Sequence, residues 1–181
     1  MDSKSFIQNE KRLMEKNGAY ITPMKKHHIS EITENICKES LEELSHLGWQ
    51  NPLNFVLAIH EMSEGYVCRN KNKEFIFLSG LTFRKEGDFP IFFSLLSNKI
   101  RKNKYIAFKM GKALVNFFDQ TELGMTTQIS YKYTSMIHTA ALLGFEPIDF
   151  VSSENREYIE FVRCNPNKIN VYNNSLRPIS H

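Results

Sequence analysis

The chemistry-bearing residues of this chain gather where an apolar strand hands over to a helix. Pro90 to Leu96 is apolar and aromatic, Ser97, Asn98 and Lys99 form a polar turn, and Arg101, Lys102 and Lys104 follow. Ile106, Met110, Ala113, Leu114 and Phe117 then recur at the spacing of one buried helix face. From Phe89 to Phe118 there is no acidic residue, while Lys99, Lys109 and Lys112 add to the positive charge. A helix start offers free backbone N–H groups and the positive end of a dipole, so cations there suit an anionic ligand such as a phosphate. The same pattern also describes a plain buried strand and an amphipathic helix with a solvated basic face. Tyr105 and Phe108, interleaved with the lysines, suggest a nucleic-acid contact, but they also serve as helix core.

Two other groupings invite a chemical reading. His27 and His28 are adjacent, but a metal needs further ligands and none lies near in sequence, so a solvated or capping role is expected. His60 and Glu61 resemble an acid–base pair. Consecutive helix positions point about 100° apart, so they do not converge. Cys37, Cys68 and Cys164 are odd in number, and no Cys/His spacing suits zinc. They point to a reducing compartment.

At 181 residues, with 41% hydrophobic and 24% charged, the chain is long enough for one globular domain with a real core. Fourteen phenylalanines against one tryptophan make that core aromatic. A net charge of +3 is too mild for a dedicated nucleic-acid binder. No apolar run approaches the roughly 20 residues of a membrane span, and the N-terminus carries no signal-peptide pattern.

The elements expected to position these residues run as follows. Residues 2 to 16 read as a short polar helix ended by Asn17-Gly18, and Ala19 to Met24 as a strand. Ile29 to Leu47 reads as one amphipathic helix stopped by Gly48. Asn51 and Pro52 open a second helix as N-cap and first residue. Tyr66 to Arg69 and Glu74 to Phe83 read as strands, then Pro90 to Leu96, the basic helix, and a strand from Met125 to Tyr133. A short helix capped by Thr134 or Ser135 and closed by Gly144 precedes two strands, Glu146 to Val151 and Glu157 to Cys164. Residues 165 to 181 read as an extended tail. This order calls for an α/β (α+β) domain, a mixed sheet with helices on both faces.

The order, with Ile129 to Ile148 (strand, short helix and the Leu143-Gly144-Phe145 turn into a final hairpin), resembles the GNAT (GCN5-related N-acetyltransferase) fold. The resemblance implies a mostly antiparallel, twisted sheet of six to seven strands over residues 19–164, with 1–18 as a helical extension and 165–181 as a tail. It also implies an acetyl-CoA site on the fourth strand and third helix of the family, here Pro90 to Leu96 and Lys102 to Asp119. The cofactor-binding residues carried over are Leu95, Leu96, Ser97, Arg101, Lys102, Asn103 and Lys104. The family's Gln/Arg-x-x-Gly-x-Gly/Ala loop is represented by Arg101 to Ile106 without glycine at either position. Gly111, the one glycine nearby, lies inside the helix. The family's general-acid Tyr falls at Ala140, and its Asn at the head of the short helix is replaced around Tyr133 and Thr134, so no catalytic residue is assigned.

Leu41 to Cys68, with Leu47-Gly48-Trp49, Pro52 and Gly65-Tyr66-Val67, resembles more narrowly the small GNAT-like internal virion or virion-assembly proteins of short-tailed bacteriophages. That resemblance implies a catalytically degenerate pseudoenzyme acting through protein contacts. Its implied partners are other virion or assembly proteins, with a second copy of the chain as a further candidate. Its implied location is the host cytoplasm or the packaged virion. The alternative is an active acetyl-CoA-dependent N-acetyltransferase in which Arg101, Lys102 and Lys104 replace the glycine loop. Glu61, Glu64 and His60 would then be the nearest candidates to accept a proton.

Overall fold

A computed structural model describes residues 11–82, 89–122, 124–153 and 156–165. The chain divides into two compact units, Met1–Thr82 with Phe92–Gly111, and Phe83–Ile91 with Lys112–His181. The elements are β1 (Met14–Lys16), β2 (Ala19–Pro23), α1 (Ile29–Asn35), α2 (Lys38–His46), α3 (Pro52–Met62), β3 (Ser63–Arg69), β4 (Phe75–Thr82) and β5 (Ile91–Leu96). Then follow α4 (Lys104–Thr121), β6 (Gly124–Ser130), α5 (Thr134–Leu142), β7 (Glu146–Ser153) and β8 (Arg156–Cys164). Short 3-10 turns occupy Lys26–His28 and Ile100–Lys102.

The eight strands are ordered β1-β2-β3-β4-β5-β6-β8-β7. Pairing is antiparallel from β1 to β4 and from β6 through β8 to β7, and parallel where Ile91 of β5 meets Thr126 of β6. The expected mixed, mostly antiparallel sheet is therefore present, with more strands than the six to seven expected.

The extra strand comes from residues read as the end of a helix. Met14–Lys16 pairs with β2, Met14 opposite Ile21. Asn17 and Gly18 both have positive φ, 53° and 76°. That is the signature of a two-residue hairpin turn, which Asn-Gly favours over a helix stop. The expected helix over residues 2–10 lies outside the described residues, as does the tail over 166–181.

In the first unit, α1 and α3 cover β3 and β4. Ile32, Leu44, Val56, Ile59, Val67, Leu78 and Leu95 form one buried cluster. Each such side chain contributes about 1.5–3 kcal/mol on burial. Asn51 Oδ1 accepts from Leu53 N–H at 2.9 Å with Pro52 at the first helical position, as its sequence demands. The Leu47-Gly48-Trp49 pattern is the corner between α2 and α3. Gly48 has φ 91°, and the Trp49 ring stacks edge-on to Phe55 at 5.3 Å.

The single helix expected from Ile29 to Leu47 is broken. Ile36 has ψ 135° and Cys37 ψ 159°, both extended, and the backbone there turns to another partner described below. The capping expected of Thr134 or Ser135 also differs. Tyr133 is the N-cap of α5, with no side-chain cap bond, and Thr134 is already helical.

The second unit buries Leu114, Val115 and Phe118 of α4 with Met125, Ile129, Phe145 and Phe161. Arg163 on β8 ties it together, bonding Asp119 of α4 and the carbonyl of Leu143 after α5. The Asn165 side chain bonds the Asp119 carbonyl.

Candidate cofactor site at the end of β5

The candidate site is built from β5, the turn after it and the start of α4, all in the first unit from Phe92 onward. Leu95 is 4% exposed and belongs to the core cluster, so its side chain holds the strand end rather than a ligand. Leu96 is engaged on both backbone groups. Its N–H donates to Ser40 Oγ at 3.1 Å, and its carbonyl accepts from Cys37 N–H at 2.8 Å. Ser97 is fully buried. Its N–H donates to the Ile76 carbonyl at 2.9 Å, and its Oγ accepts from Lys99 N–H at 3.0 Å. Asn98 N–H donates to the Asn35 carbonyl at 2.9 Å, and Ile36 bridges Ser97.

This is the partner for which the expected long helix breaks. The extended Ile36–Cys37 connector between α1 and α2 lies along the end of β5 as a short strand would. It satisfies backbone groups that would be costly to bury unpaired. Ser40, 2% exposed at the first turn of α2, accepts from Leu96 N–H at 3.1 Å and from Cys37 Sγ at 3.6 Å, and so joins the connector to the strand end.

The turn that follows contains no residue in the left-handed region. Among the described residues only Asn17 and Lys73 combine a side chain with positive φ. Lys99 and Asn103 sit at φ −85° and −122°. Ordinary φ values with a full side chain at each position keep the backbone from the close approach that glycines allow. Asn103 is turned inward. Its Nδ2 donates to the Lys99 carbonyl at 3.0 Å and its Oδ1 accepts from Asn70 Nδ2 at 3.4 Å.

The cations divide into two groups. Arg101 pairs with Glu39 at 3.1 Å and Lys99 with Glu74 at 3.3 Å, all four side chains well exposed. Glu39 is held below the ordinary carboxylate range by a bond from its own backbone and then by Arg101. Glu74 is held low by the Asn70 side chain and then by Lys99. Exposed pairs of this kind are worth at most about 1 kcal/mol, so an anion could displace them. Lys102 and Lys104 are exposed and make no ion pair among the described residues.

No protein-family model and no curated protein matches the sequence. Solved structures do match. A spermidine N-acetyltransferase from Vibrio cholerae, in complex with CoA and spermine, superposes with TM-score 0.67 at 8% identity, covering 85% of this chain and 99% of that one. A ribosomal-protein-S5-alanine acetyltransferase from Vibrio fischeri gives TM-score 0.64 at 13% identity, covering 85% and 97%.

The fold is that of the GNAT acetyltransferases.

In GNAT terms, β5 and α4 are the strand and helix to which the sequence resemblance assigned acetyl-CoA. The structure brings Leu95, Leu96, Ser97, Arg101, Lys102, Asn103 and Lys104 together along one short path. It buries Leu95 and Ser97, leaves Leu96 and Asn103 half-buried, and turns Arg101, Lys102 and Lys104 to solvent. On α5, Ala140, the position to which the sequence resemblance assigned the family's tyrosine, is 5% exposed and without a polar group. Tyr131 lies before α5 and is exposed, and Glu157 raises its phenol above the ordinary range by hydrogen bond and charge. His60, Glu61 and Glu64 make no hydrogen bond with one another among the described residues. His28 is fully buried and its Nδ1 accepts from Lys25 N–H at 3.0 Å, a capping role, while His27 is exposed. No group of side chains among the described residues is arranged to hold a metal, and no helix there is long and apolar enough to cross a membrane. Sequence reading did not find Cys37 and Ser40, because the apolar spacing of Ile29, Ile32 and Ile36 ran on smoothly into Leu44.

Proposed function

We propose that this chain is a GNAT-fold protein that has given up acetyl transfer and works through protein contacts, as a virion or virion-assembly component of the short-tailed-phage type. One observation carries the degenerate part of this reading. Leu96, which would pair its backbone with the pantetheine arm, has both its N–H and its carbonyl occupied by Ser40 and Cys37. The φ values of the following turn and the apolar Ala140 point the same way. The virion assignment rests on the Leu47-Gly48-Trp49 and Pro52 corner and its resemblance to the phage proteins.

The test is calorimetric titration of the whole chain with acetyl-CoA. No binding at millimolar ligand is expected. Micromolar binding that weakens when Arg101, Lys102 and Lys104 are all replaced by glutamine would overturn the reading. The second reading, an active N-acetyltransferase with acetyl-CoA as cofactor, draws on Lys102 and Lys104. Lys102, in the turn before α4, and Lys104, its first residue, are exposed and make no ion pair among the described residues, and first-turn amides lack helical partners.

A further inference from the structure

We propose that the first unit binds single-stranded nucleic acid along a cationic face assembled from three separate segments, with Tyr105 as a stacking platform. The inference goes beyond the protein-contact reading above and does not depend on whether acetyl transfer has been lost.

The three segments are the hairpin turn at 16–18, the turn at 70–74 and the stretch 99–109, all in the first unit. The fold brings them together. A Cβ built on Gly18 lies 2.8 Å from Lys71 Cβ, so the first two turns touch. Lys16 and Asn17 line one small cleft with Ile106, Lys109 and Met110 of α4. The Asn70 side chain donates to Asn103 Oδ1 at 3.4 Å. Asn70 is 5% exposed, and its Oδ1 accepts from the N–H groups of Asn72 and Glu74, each at 3.0 Å. The turn that carries Lys71 and Lys73 is therefore held in one shape.

Charge is concentrated here. Glu74 is the only acid in the three segments, and it pairs with Lys99. Glu15, next to Lys16, stands opposite Tyr20 and pairs with Arg12, and alternation along β1 sends it to the other face of the sheet. Lys16, Lys71, Lys73, Lys102 and Lys104 are exposed, Lys109 is half-buried, and none makes an ion pair among the described residues. The net charge of +3 for the whole chain thus hides a local excess.

Spread and side-chain type select the partner. Lys104 to Lys109 extends about 7.5 Å along α4 at about 1.5 Å per residue, and the two turns widen the strip. Such a strip matches a chain of phosphates rather than one phosphate group. Lysines meet phosphates as point charges and read no base sequence. Tyr105 supplies what charge does not. The interleaved spacing suggested a core role for it, yet its ring is 65% exposed, with Lys109 Nζ 4.1 Å from the ring centroid. Unpaired bases stack on such rings whatever their sequence. An anionic membrane calls for an apolar face, and Tyr105 is the one exposed large apolar side chain in the three segments.

The test is fluorescence anisotropy of the full chain with a short fluorescein-labelled oligothymidylate. Binding is expected at low salt, weakening steadily as salt rises. Tyr105→Ala should weaken it about tenfold, the size of one lost base stack. The triple variant Lys16→Gln, Lys71→Gln and Lys73→Gln should weaken it at least as much and lower the salt slope by about 2, at about 0.7 per phosphate contact. All four positions are exposed, and the three lysines lie outside the turn to which acetyl-CoA was assigned. No binding at low salt, duplex bound as tightly as single strand, or indifference to either variant would overturn the proposal. So would polyglutamate or phosphatidylserine vesicles bound as tightly as the oligonucleotide. Acetyl-CoA binding in the calorimetric experiment would overturn the degenerate reading without touching these outcomes, so the two fail separately.

Discussion

Arg163 grips Asp119 with two parallel bonds, Nε to Oδ1 at 3.1 Å and Nη2 to Oδ2 at 2.5 Å. Its third arm, Nη1, donates to the Leu143 carbonyl at 2.7 Å. One guanidinium on β8 thus fixes the last turn of α4 and the end of α5. The fork geometry matters, because lysine has no planar pair of donors. Arg163→Lys is expected to lower stability by about 1.5–3 kcal/mol, the value of a charged hydrogen-bond set only partly replaced. A reduced midpoint in urea with an unchanged slope would show it; an unchanged midpoint would contradict it.

Gly144 is required beside this clamp for two reasons. Its φ is 82°, and a Cβ built there overlaps Arg163 Nη1. Gly144→Ala should therefore destabilise by about 1–3 kcal/mol, and the double variant with Arg163→Ala should recover the steric part but not the backbone part. A double-mutant cycle read by chemical unfolding separates the two.

Gly111 is the opposite case. It lies inside α4, and a Cβ there meets nothing within 4 Å. Gly111→Ala should stabilise the chain by about 0.5–1 kcal/mol, by removing a flexible residue from a helix interior. A loss of stability on this substitution would mean that something packs against the glycine in solution.

Ser40→Ala strips the acceptor from the Leu96 N–H and leaves a part-buried amide unpaired. The expected cost is about 1–3 kcal/mol. The Leu96 amide should also exchange with solvent faster than its neighbour Ser97, which keeps its bond to Ile76. Equal exchange of the two amides would show that the connector does not lock the strand end.

Titration should act at both ends of the pH scale. Glu39 and Glu74 are depressed in the folded chain, so the stability they contribute is present above the ordinary value of 4.5 and is lost as pH falls through their lower folded values. Glu39→Gln and Glu74→Gln should flatten the acid limb of a unfolding-midpoint profile. Cys68 is pushed by burial from 9.0 up to about 12, so its contribution is intact below 9.0 and lost as pH rises toward 12. Thiol reagents at neutral pH should label exposed Cys164 first and reach Cys37 and Cys68 only on unfolding. Rapid labelling of Cys68 would contradict its burial.

The sequence by itself determined most of the succession of elements and much of their chemistry. Periodicity placed the face of α4, Asn51-Pro52 placed the start of α3, and Leu143-Gly144-Phe145 placed the turn after α5, because each of these signals is local. The absence of loop glycines was also plain in the residues Arg101 to Ile106. Tertiary structure alone decided the rest. Ile36 and Cys37 fit a helix as well as their neighbours do, and leave it only because β5 presents Leu96 and Ser97 for pairing. Met14–Lys16 is a strand because β2 lies beside it. The Leu96–Ser40 bond at the end of β5 joins residues 56 positions apart in the chain, and no spacing rule reaches that far. Backbone groups must find partners once buried, and which partners they find is settled only when distant segments meet.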